Sequence, residues 1–351
     1  MGRPVVVITD TEELDPGPGV RLLTDGGFDV RVVGSRDPDR IAAAAHDADA
    51  VIVGYAKIDA ALLDRMPRVR LLATMSAGYD MIDTEAAARR GLWVTHLPDA
   101  ATEDVAVHAL ASALSLLRRL PQADAAVRSG GWSTDFTEVP RRVGEATLGL
   151  VGMGRIARAL VLRAAPLFGR VVAYDPRAEH WPEGVERLGL DDLVDRSDVI
   201  SLHVPSTAET RGMVNTSLLA RTRPGALLVN VSRGDLVDAE ALLAALDSGQ
   251  LAGAALDVFP VEPPAPGDRL RTHPRLLLSP HSAFLSDASL RAYATEPARN
   301  VLAWWTTGRP LTPVVTPAGV GAAAAAPAAP ATAPVAPAAA TRTPRTHGAS
   351  A

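Results

Sequence analysis

The chain has 351 residues, enough for two domains of ordinary size, and its 47% hydrophobic and 21% charged residues are typical of a globular protein. Its formal net charge of -5 gives no reason to expect nucleic acid as a partner, and no apolar run is long enough to predict a membrane span. The sequence contains no cysteine, which excludes disulfides, thiolate metal ligands and cysteine nucleophiles. We predict no metal site, and we expect the protein to act in a reducing cytoplasm.

Short β-branched runs alternate with amphipathic segments from the N-terminus onward. Strands are predicted at residues 5–9, 30–34, 50–54, 71–76 and 93–97. A second series is predicted at residues 146–152, 170–174, 199–204, 226–231, 254–259 and 275–279. This alternation is typical of βαβ units, so it predicts an α/β fold of two Rossmann-like or flavodoxin-like lobes with parallel sheets.

Two long amphipathic segments are predicted to connect the lobes. The first helix is expected to have Thr102 as its N-cap and to end at Pro121. The second covers residues 286–307, where Pro297 is expected to kink or restart the helix. We expect this second helix to return to the first lobe. The predicted domains are then a discontinuous substrate-binding lobe and a nucleotide-binding lobe, at residues 1–98 plus 285–316 and at residues 99–284.

The C-terminal residues 317–351 consist largely of alanine, proline, threonine and glycine. They contain no acidic residue and no Phe, Tyr or Trp. Proline recurs too often there for a helix, and large apolar side chains are too few for a core. We therefore predict a disordered tail.

A glycine-rich turn opens the second series of strands. The strand before Gly152 continues into Gly152-Met153-Gly154-Arg155-Ile156-Ala157, a G-x-G-x-x-A pattern. Small residues there let the backbone approach a pyrophosphate at a helix N-terminus, although the pattern alone is equally compatible with an ordinary turn. In the dinucleotide reading, Gly152, Gly154, Arg155 and Ile156 contact the cofactor.

Asp175 favours the dinucleotide reading. It lies 21 residues after Gly154, at the end of the next predicted strand, where a carboxylate can accept hydrogen bonds from both ribose hydroxyls. The same carboxylate would repel a 2′-phosphate, which favours NAD over NADP. Arg177 could instead reach such a phosphate, but arginine is abundant in this chain, and we expect Arg177 to be a surface residue.

Four further motifs occur in order along the chain, at residues 75–80, 230–237, 256–263 and 279–281. Together with the glycine-rich turn they resemble the signatures of the D-isomer-specific 2-hydroxyacid dehydrogenase family, and the similarity covers roughly residues 45–315. Residues 98–108 and 282–286 are most similar to the branch that includes the C-terminal-binding-protein corepressors. The resemblance implies that Arg233, Glu262 and His281 form a catalytic set.

The chemistry of keto-acid reduction gives each of these residues a reason. Negative charge develops on the C2 oxygen, so a proton donor such as His281 is needed beside it. A carboxylate on the other ring nitrogen, from Glu262, fixes the tautomer and favours the imidazolium. The planar guanidinium of Arg233 can bind the substrate carboxylate and keto oxygen. The alternative for each residue is an ordinary surface or loop position.

The resemblance also implies the remaining contacts. Backbone amides at Ser76, Ala77 and Gly78 are expected to bind the substrate carboxylate. The residues expected to contact the cofactor are His203, Val204 and Pro205 under the adenine and ribose, Val231 and Ser232, and Asp257 at the carboxamide. We expect His108 to be a core or interface residue without a catalytic role.

Taken together, these observations predict an NAD-dependent 2-hydroxyacid dehydrogenase with its active site in the cleft between the lobes. The expected partners are a 2-keto or 2-hydroxy acid and a second copy of the chain, in a homodimer formed across the nucleotide lobe. The alternative is an NADH-responsive binding protein with little turnover, as the corepressor resemblance suggests. A complete catalytic set favours the enzyme, because a sensor needs only the dinucleotide site.

Overall fold

The computed structural model describes residues 2–11, 14–135 and 139–317. The strands in these ranges are β1 (Val5–Ile8), β2 (Asp29–Val32), β3 (Ala50–Val53), β4 (Leu71–Thr74), β5 (Trp93–Thr95), β6 (Thr147–Val151), β7 (Arg170–Tyr174), β8 (Val185–Arg187), β9 (Val199–Leu202), β10 (Ala226–Asn230), β11 (Leu251–Leu256), β12 (Leu276–Leu278) and β13 (Pro313–Val315). The helices are α1 (Gly17–Asp25), α2 (Pro38–Ala45), α3 (Ala60–Asp64), α4 (Thr84–Arg89), α5 (Thr102–Leu117), α6 (Leu120–Arg128), α7 (Arg155–Ala164), α8 (Leu190–Arg196), α9 (Thr216–Ala220), α10 (Ala239–Ser248) and α11 (Asp287–Thr307). None of these helices has the length and apolarity to cross a membrane. Apart from Pro317, the segment predicted to be disordered lies outside the described residues.

The strands form two sheets. The first has the order β13-β5-β4-β3-β1-β2 and is parallel except for β13, which pairs antiparallel with β5. The second has the order β12-β11-β10-β9-β6-β7-β8 and is parallel throughout. The predicted α/β fold with two parallel-sheet lobes is therefore confirmed. The edge strands β8 and β13 were not among the predicted strands.

Helices cover both faces of each sheet, as the apolar strands require. In β1, Val6 and Ile8 pack with Ala298 and Val301 of α11, and the alternate residues Val5 and Val7 pack on the opposite face with α2 and α3. Side chains alternate between the two faces of a strand, so a strand buried on both faces is apolar almost throughout. Polar side chains with a chemical role are consequently concentrated beyond the strand ends.

The first connecting helix differs from its prediction at both ends. Thr102 is the first residue of α5 rather than its N-cap, and its hydroxyl donates to the Pro98 carbonyl at 3.2 Å. At the other end Arg119 adopts a left-handed conformation with φ 53° and separates α5 from α6. Pro121 lies in the first turn of α6, where its missing amide leaves no hydrogen bond unmade. The proline therefore begins a second helix instead of only ending the first.

The C-terminal helix α11 runs unbroken through Pro297, which is buried in it, so the predicted restart does not occur. The helix begins with a capping box, in which Ser286 and Ser289 exchange side-chain-to-backbone hydrogen bonds. It packs so closely on α1 that a Cβ atom at Gly19 would lie 2.3 Å from the Ala294 carbonyl oxygen. Through α11 and β13 the chain returns to the first sheet.

Candidate active site

A cavity of about 550 Å³ is lined by residues from both lobes. Ser76–Gly78 follow β4, whereas Arg233, Asp257 and His281 follow β10, β11 and β12. Open parallel sheets present their functional side chains beyond the carboxyl ends of the strands. The structure therefore brings the predicted catalytic and carboxylate-binding residues into one cleft.

His281 and Glu262 form a hydrogen-bonded pair in this cleft. His281 Nδ1 lies 2.7 Å from Glu262 Oε2, and the Phe259 amide donates to Glu262 Oε1 at 2.9 Å. Partial burial acts to raise the pKa of the Glu262 carboxyl, but its hydrogen bonds with His281 and Phe259, together with the nearby charge of Arg233, bring that pKa below its usual value. An ionised carboxylate can only accept hydrogen bonds, so His281 Nδ1 carries a proton and Nε2 is left to face a ligand.

The backbone of His281 is held in an unusual conformation. Its φ of 51° lies in the left-handed region, which a residue with a Cβ atom rarely occupies. The His281 amide donates to the carbonyl oxygens of Asp257 at 2.7 Å and Ser279 at 3.1 Å, and these bonds retain the conformation. Backbone strain of this kind is concentrated at functional sites, because the surrounding structure must over-determine it.

Arg233 reaches across the cleft to the loop after β4. Its Nη1 donates to the Ser232 carbonyl at 2.8 Å, and its Nη2 donates to Asp80 Oδ1 at 2.9 Å. A Cβ atom at Gly78 would lie 2.2 Å from Arg233 Nη2, so only glycine lets the guanidinium come this close. The other three N–H groups of the guanidinium make no hydrogen bond to the described residues and can donate to a ligand.

The turn at Ser76–Gly78 is held by its own side chains and by His96. The Ser76 hydroxyl donates to the Gly78 carbonyl at 2.6 Å, and His96 Nδ1 lies 2.9 Å from the Ala77 carbonyl oxygen, so this nitrogen carries a proton. Among the described residues, none accepts a hydrogen bond from the amides of Ala77 and Gly78. These two donors are therefore available to a carboxylate in the cleft.

Asp257 is 2% exposed and organises the segment that carries His281. It accepts hydrogen bonds from the amides of Ser282 and Ala283, both at 2.9 Å, and from the Ser279 hydroxyl. His108 Nε2 lies 3.0 Å from the same hydroxyl. Asp257 thus has a structural role in joining β11 to the residues after β12, and its predicted contact with a carboxamide stays a prediction.

The two glycines of the glycine-rich turn have different surroundings. Gly152 has φ +100°, and a Cβ atom there would lie 2.5 Å from the His203 carbonyl oxygen, so the fold itself requires glycine. Gly154 has φ -71°, and a Cβ atom there would meet no protein atom within 4 Å. The described residues give Gly154 no reason to be glycine, whereas a phosphate against the N-terminus of α7 would. The turn fits a pyrophosphate.

Asp175 lies beside this turn at the end of β7. Its Oδ2 accepts from the Met153 amide at 2.8 Å, and its Oδ1 accepts from the Arg177 amide at 2.8 Å. The carboxylate is half-buried and retains lone pairs for ribose hydroxyls. Arg177 is exposed.

The other predicted cofactor residues lie around the same end of the second sheet. The backbone carbonyl of His203 lies against Gly152. Its imidazole points into the protein, where Nε2 lies 2.9 Å from Ser201 Oγ. Ser232 Oγ donates to the Leu202 carbonyl at 2.7 Å. Arg155 pairs with Asp99 at 3.5 Å. Of the remainder, Ile156 and Val231 line the cavity, Val204 packs on the core, and Pro205 is exposed.

Two polar residues of the site, Asp80 and His96, were given no role from the sequence, and His108 was expected only to be a core or interface residue. Asp80 is the last residue of the motif at residues 75–80, and this position could have marked it as a residue of the site. Its partner Arg233 is 153 residues away in sequence, so only the fold reveals the pair. His96 and His108 support other residues of the site through hydrogen bonds. No local pattern marks such a role.

Known proteins match the chain over most of its length. The family model for the D-isomer specific 2-hydroxyacid dehydrogenase, NAD binding domain, matches residues 110–283. A glyoxylate reductase from Thermofilum pendens is 36% identical over 316 residues, which cover 86% of this chain and 92% of that protein. A D-3-phosphoglycerate dehydrogenase from Mycobacterium tuberculosis is 40% identical over 267 residues, which cover 75% of this chain but 50% of the relative. The chain therefore spans about half the length of that relative.

A solved structure shows the same fold. The NADPH-dependent glyoxylate/hydroxypyruvate reductase from Sinorhizobium meliloti, in complex with NADP and malonate, has 33% identity and a TM-score of 0.80, with 89% of this chain and 97% of that chain covered. The family resemblance drawn from the motifs is thus confirmed, and the closer similarity to the corepressor branch stays a prediction. The chain belongs to the D-isomer-specific 2-hydroxyacid dehydrogenase family.

Proposed function

We propose that the protein is an NAD-dependent oxidoreductase that interconverts 2-keto acids and D-2-hydroxy acids. The observation that carries the proposal is the arrangement of the His281–Glu262 pair and Arg233 around one cavity, next to a turn that fits a pyrophosphate. The nicotinamide, when bound, supplies or accepts the hydride at C2. Each remaining step is assigned to side chains of this chain.

Substrate binding is assigned to Arg233 and the turn after β4. The free N–H groups of the guanidinium and the amides of Ala77 and Gly78 together offer donors to a carboxylate and a keto oxygen. His281 Nε2 gives a proton to the C2 oxygen during reduction and takes it back during oxidation. Glu262 keeps the proton of Nδ1 in place and stabilises the imidazolium in the reducing direction.

We further propose a preference for NAD over NADP, supported by Asp175 beside the glycine-rich turn. Its carboxylate would repel a 2′-phosphate while accepting hydrogen bonds from an unmodified ribose. The similar reductase from Sinorhizobium meliloti is described as NADPH-dependent, so cofactor choice varies among proteins of this fold.

In this chain we expect a higher kcat/KM with NADH than with NADPH. Asp175→Ala should bring these two kcat/KM values closer together. Equal kinetics with both cofactors in the unaltered protein would contradict this preference.

The main experiment follows NADH oxidation by the full chain in the presence of glyoxylate, hydroxypyruvate, pyruvate and longer 2-keto acids. Turnover of at least one substrate with a D-hydroxy acid as product is expected. NADH binding without turnover of any substrate would instead favour the NADH-responsive binding protein. Chiral analysis of the product checks the stereochemistry independently of the rate.

We also propose that the substrate lobe comprises residues 1–98 plus 285–316, that the nucleotide lobe comprises residues 99–284, and that the protein forms a homodimer in the cytoplasm. The return of β13 to the first sheet supports the discontinuous lobe.

Exposed apolar side chains on α5, α6 and α7 support a dimer across the nucleotide lobe: Val107, Leu120, Val127 and Leu162. Light scattering should give twice the monomer mass, and Leu162→Asp should reduce it. A monomer at micromolar concentration would contradict the dimer.

A further inference from the structure

The turn after β4 offers two backbone donors to the cleft, and each donor shares a peptide group with a carbonyl. A peptide group is planar, and in its trans form the N–H and the C=O point in opposite directions. The peptide bonds that join Ser76, Ala77 and Gly78 are trans. The groups that hold the carbonyls of Ser76 and Ala77 therefore also set the directions of the amides of Ala77 and Gly78.

The two carbonyls are held by different means. The Ser76 carbonyl accepts hydrogen bonds from the Leu97 amide and from the Thr74 hydroxyl, both at 2.9 Å. Among the described residues, the Ala77 carbonyl accepts from one group only, His96 Nδ1 at 2.9 Å. The first of the two amides is thus directed partly by the backbone, whereas the second depends on a single side chain.

The amide that depends on His96 lies where a substrate carboxylate is expected. Gly78 lines the cavity, and a Cβ atom at this position would collide with Arg233 Nη2. His96 is not among the residues that line this cavity. Because the Ala77 carbonyl is turned toward His96, the Gly78 N–H points to the opposite side, into the cavity beside the guanidinium.

His96 is itself held in place from several sides. Its amide donates to the Thr312 carbonyl at 3.2 Å, and its carbonyl accepts from the Thr312 hydroxyl. Its ring contacts Tyr79 edge-to-face, with the ring centroids 5.5 Å apart. Partial burial is the main reason that the pKa of His96 lies below its ordinary value, so the ring is neutral at neutral pH. The Ala77 carbonyl places the single proton of the ring on Nδ1.

We propose that His96 is a positioning residue for the binding of the substrate carboxylate. Its Nδ1–H group holds the Ala77 carbonyl, and the Gly78 amide is thereby directed at the carboxylate beside Arg233. This hydrogen bond also polarises the peptide group and strengthens its N–H as a donor. The proposal rests on the proposed function, since it takes the turn after β4 to be the carboxylate site. Because a carboxylate is bound alike in the ground state and in the transition state, the contribution of His96 belongs to KM rather than to kcat.

Two substitutions separate the donor from the bulk of the ring. Asparagine carries an N–H group close to the position of Nδ1, since both nitrogens are attached to Cγ, whereas leucine has no donor. We expect His96→Leu to raise KM for a 2-keto acid about tenfold, with kcat changed less than about twofold. The Kd of oxamate, an unreactive 2-keto acid analogue, for the NADH complex should rise by the same factor. His96→Asn should keep KM and this Kd within about twofold of the parent values.

His46→Leu, at an exposed position in the same lobe, is the matched control and should have parent values of KM and Kd. Parent values in His96→Leu would contradict the proposal. An equal rise in His96→Asn and His96→Leu would also contradict it, because packing of the ring rather than its donor would then be responsible. If the parent protein reduces no 2-keto acid, the proposed function fails, and the Kd of oxamate still decides the role of His96.

The unaltered protein offers a further measurement, which applies even if His96→Leu does not fold. Nitrogen-15 NMR spectra of the imidazole groups at about pH 7.5 identify the ring nitrogen that carries the proton. Comparison with His96→Asn assigns the His96 signals, because they are missing from this variant. We expect the proton on Nδ1. A proton on Nε2 would leave Nδ1 with no hydrogen to donate to Ala77 and would overturn the proposal.

Discussion

Arg233 and its surroundings illustrate how much a single residue depends on its neighbours. The guanidinium is oriented by the Ser232 carbonyl and Asp80, and Gly78 leaves the space in which it lies. A lysine ammonium would keep the positive charge but would lose the planar arrangement of donors. The geometry of the donors, rather than the charge alone, is therefore expected to determine the rate.

Arg233→Lys tests this expectation. We expect kcat/KM for keto-acid reduction to fall at least about tenfold, equivalent to roughly 1.4 kcal/mol of transition-state stabilisation. Arg128→Lys, an exposed arginine of α6 paired with Asp124, is the control and should retain parent kinetics. Steady-state kinetics with NADH provide the measurement, and near-parent values for Arg233→Lys would refute the assigned role.

Glu262→Gln tests the pairing with His281. The Glu262 carboxyl has a lowered pKa and is ionised through the neutral range, where it favours the imidazolium. Without this charge the proton-donating form is lost earlier as pH rises. The alkaline limb of kcat/KM for reduction should therefore move to lower pH.

The reverse reaction gives an internal control for the same variant. Oxidation of a hydroxy acid needs neutral His281 as the base, so Glu262→Gln should extend oxidation activity to lower pH. The two pH profiles must shift in the same direction. If both keep their parent positions and only the overall rate falls, Glu262 orients His281 without tuning it.

At the scale of secondary structure elements, the β6–α7 turn separates a glycine that the fold needs from one that a ligand needs. Gly152 has positive φ and lies against the His203 carbonyl, whereas Gly154 has an ordinary backbone conformation and open space beside it. Sequence patterns treat these two glycines alike. Their different surroundings make their roles separable by substitution.

Alanine substitution at the two glycines should give opposite results. Gly154→Ala should keep the melting temperature of the cofactor-free protein within about 2 °C but raise the Kd for NADH at least about tenfold, because the added methyl group occupies the phosphate position. Gly152→Ala should lower the melting temperature clearly, because its Cβ would collide with backbone atoms. Thermal scans and NADH titration are the measurements. Unchanged NADH affinity in Gly154→Ala would show that no phosphate binds there.

At the scale of the whole molecule, the buried imidazole of His203 makes stability depend on pH. Burial lowers the pKa of His203 to about 4, from an ordinary value of 6.5, and its Nδ1 has no hydrogen-bond partner among the described residues. The unfolded chain therefore binds more protons than the folded one between these two pH values. The neutral imidazole of His203 therefore contributes stability to the folded protein. This contribution is lost as pH falls from about 6.5 to about 4.

We expect this contribution to reach at most about 3 kcal/mol of unfolding free energy. His203→Gln can keep a hydrogen bond to Ser201. In this variant the unfolding free energy should decrease less between about pH 7 and pH 4.5 than it does in the parent protein. His46→Gln, at an exposed position after α2, is the matched control. Denaturant titrations at the two pH values measure the difference. An identical acid sensitivity of His203→Gln and the parent protein would contradict the assignment.

The sequence alone determined the α/β class and the order of most strands, since strands buried on both faces are necessarily apolar and separated by amphipathic helices. It also indicated the family, because the motifs that contain Arg233 and His281 occur along the chain in the order that the family shows. It misjudged Pro121, since proline is compatible with a first helical turn. Of the two outcomes expected at Pro297, the restart does not occur, and the helix continues through the buried proline.

Only the tertiary structure decided what surrounds the motif residues. Asp80 meets Arg233, His108 approaches Ser279, and His96 holds the turn after β4, although these partners are far apart in sequence. Such contacts arise where strand ends from the two lobes converge, and no local periodicity encodes which side chains face each other across a cleft. For the same reason the sequence indicated 2-keto acids as a class, whereas the donors that face the cavity could be located only in the folded site.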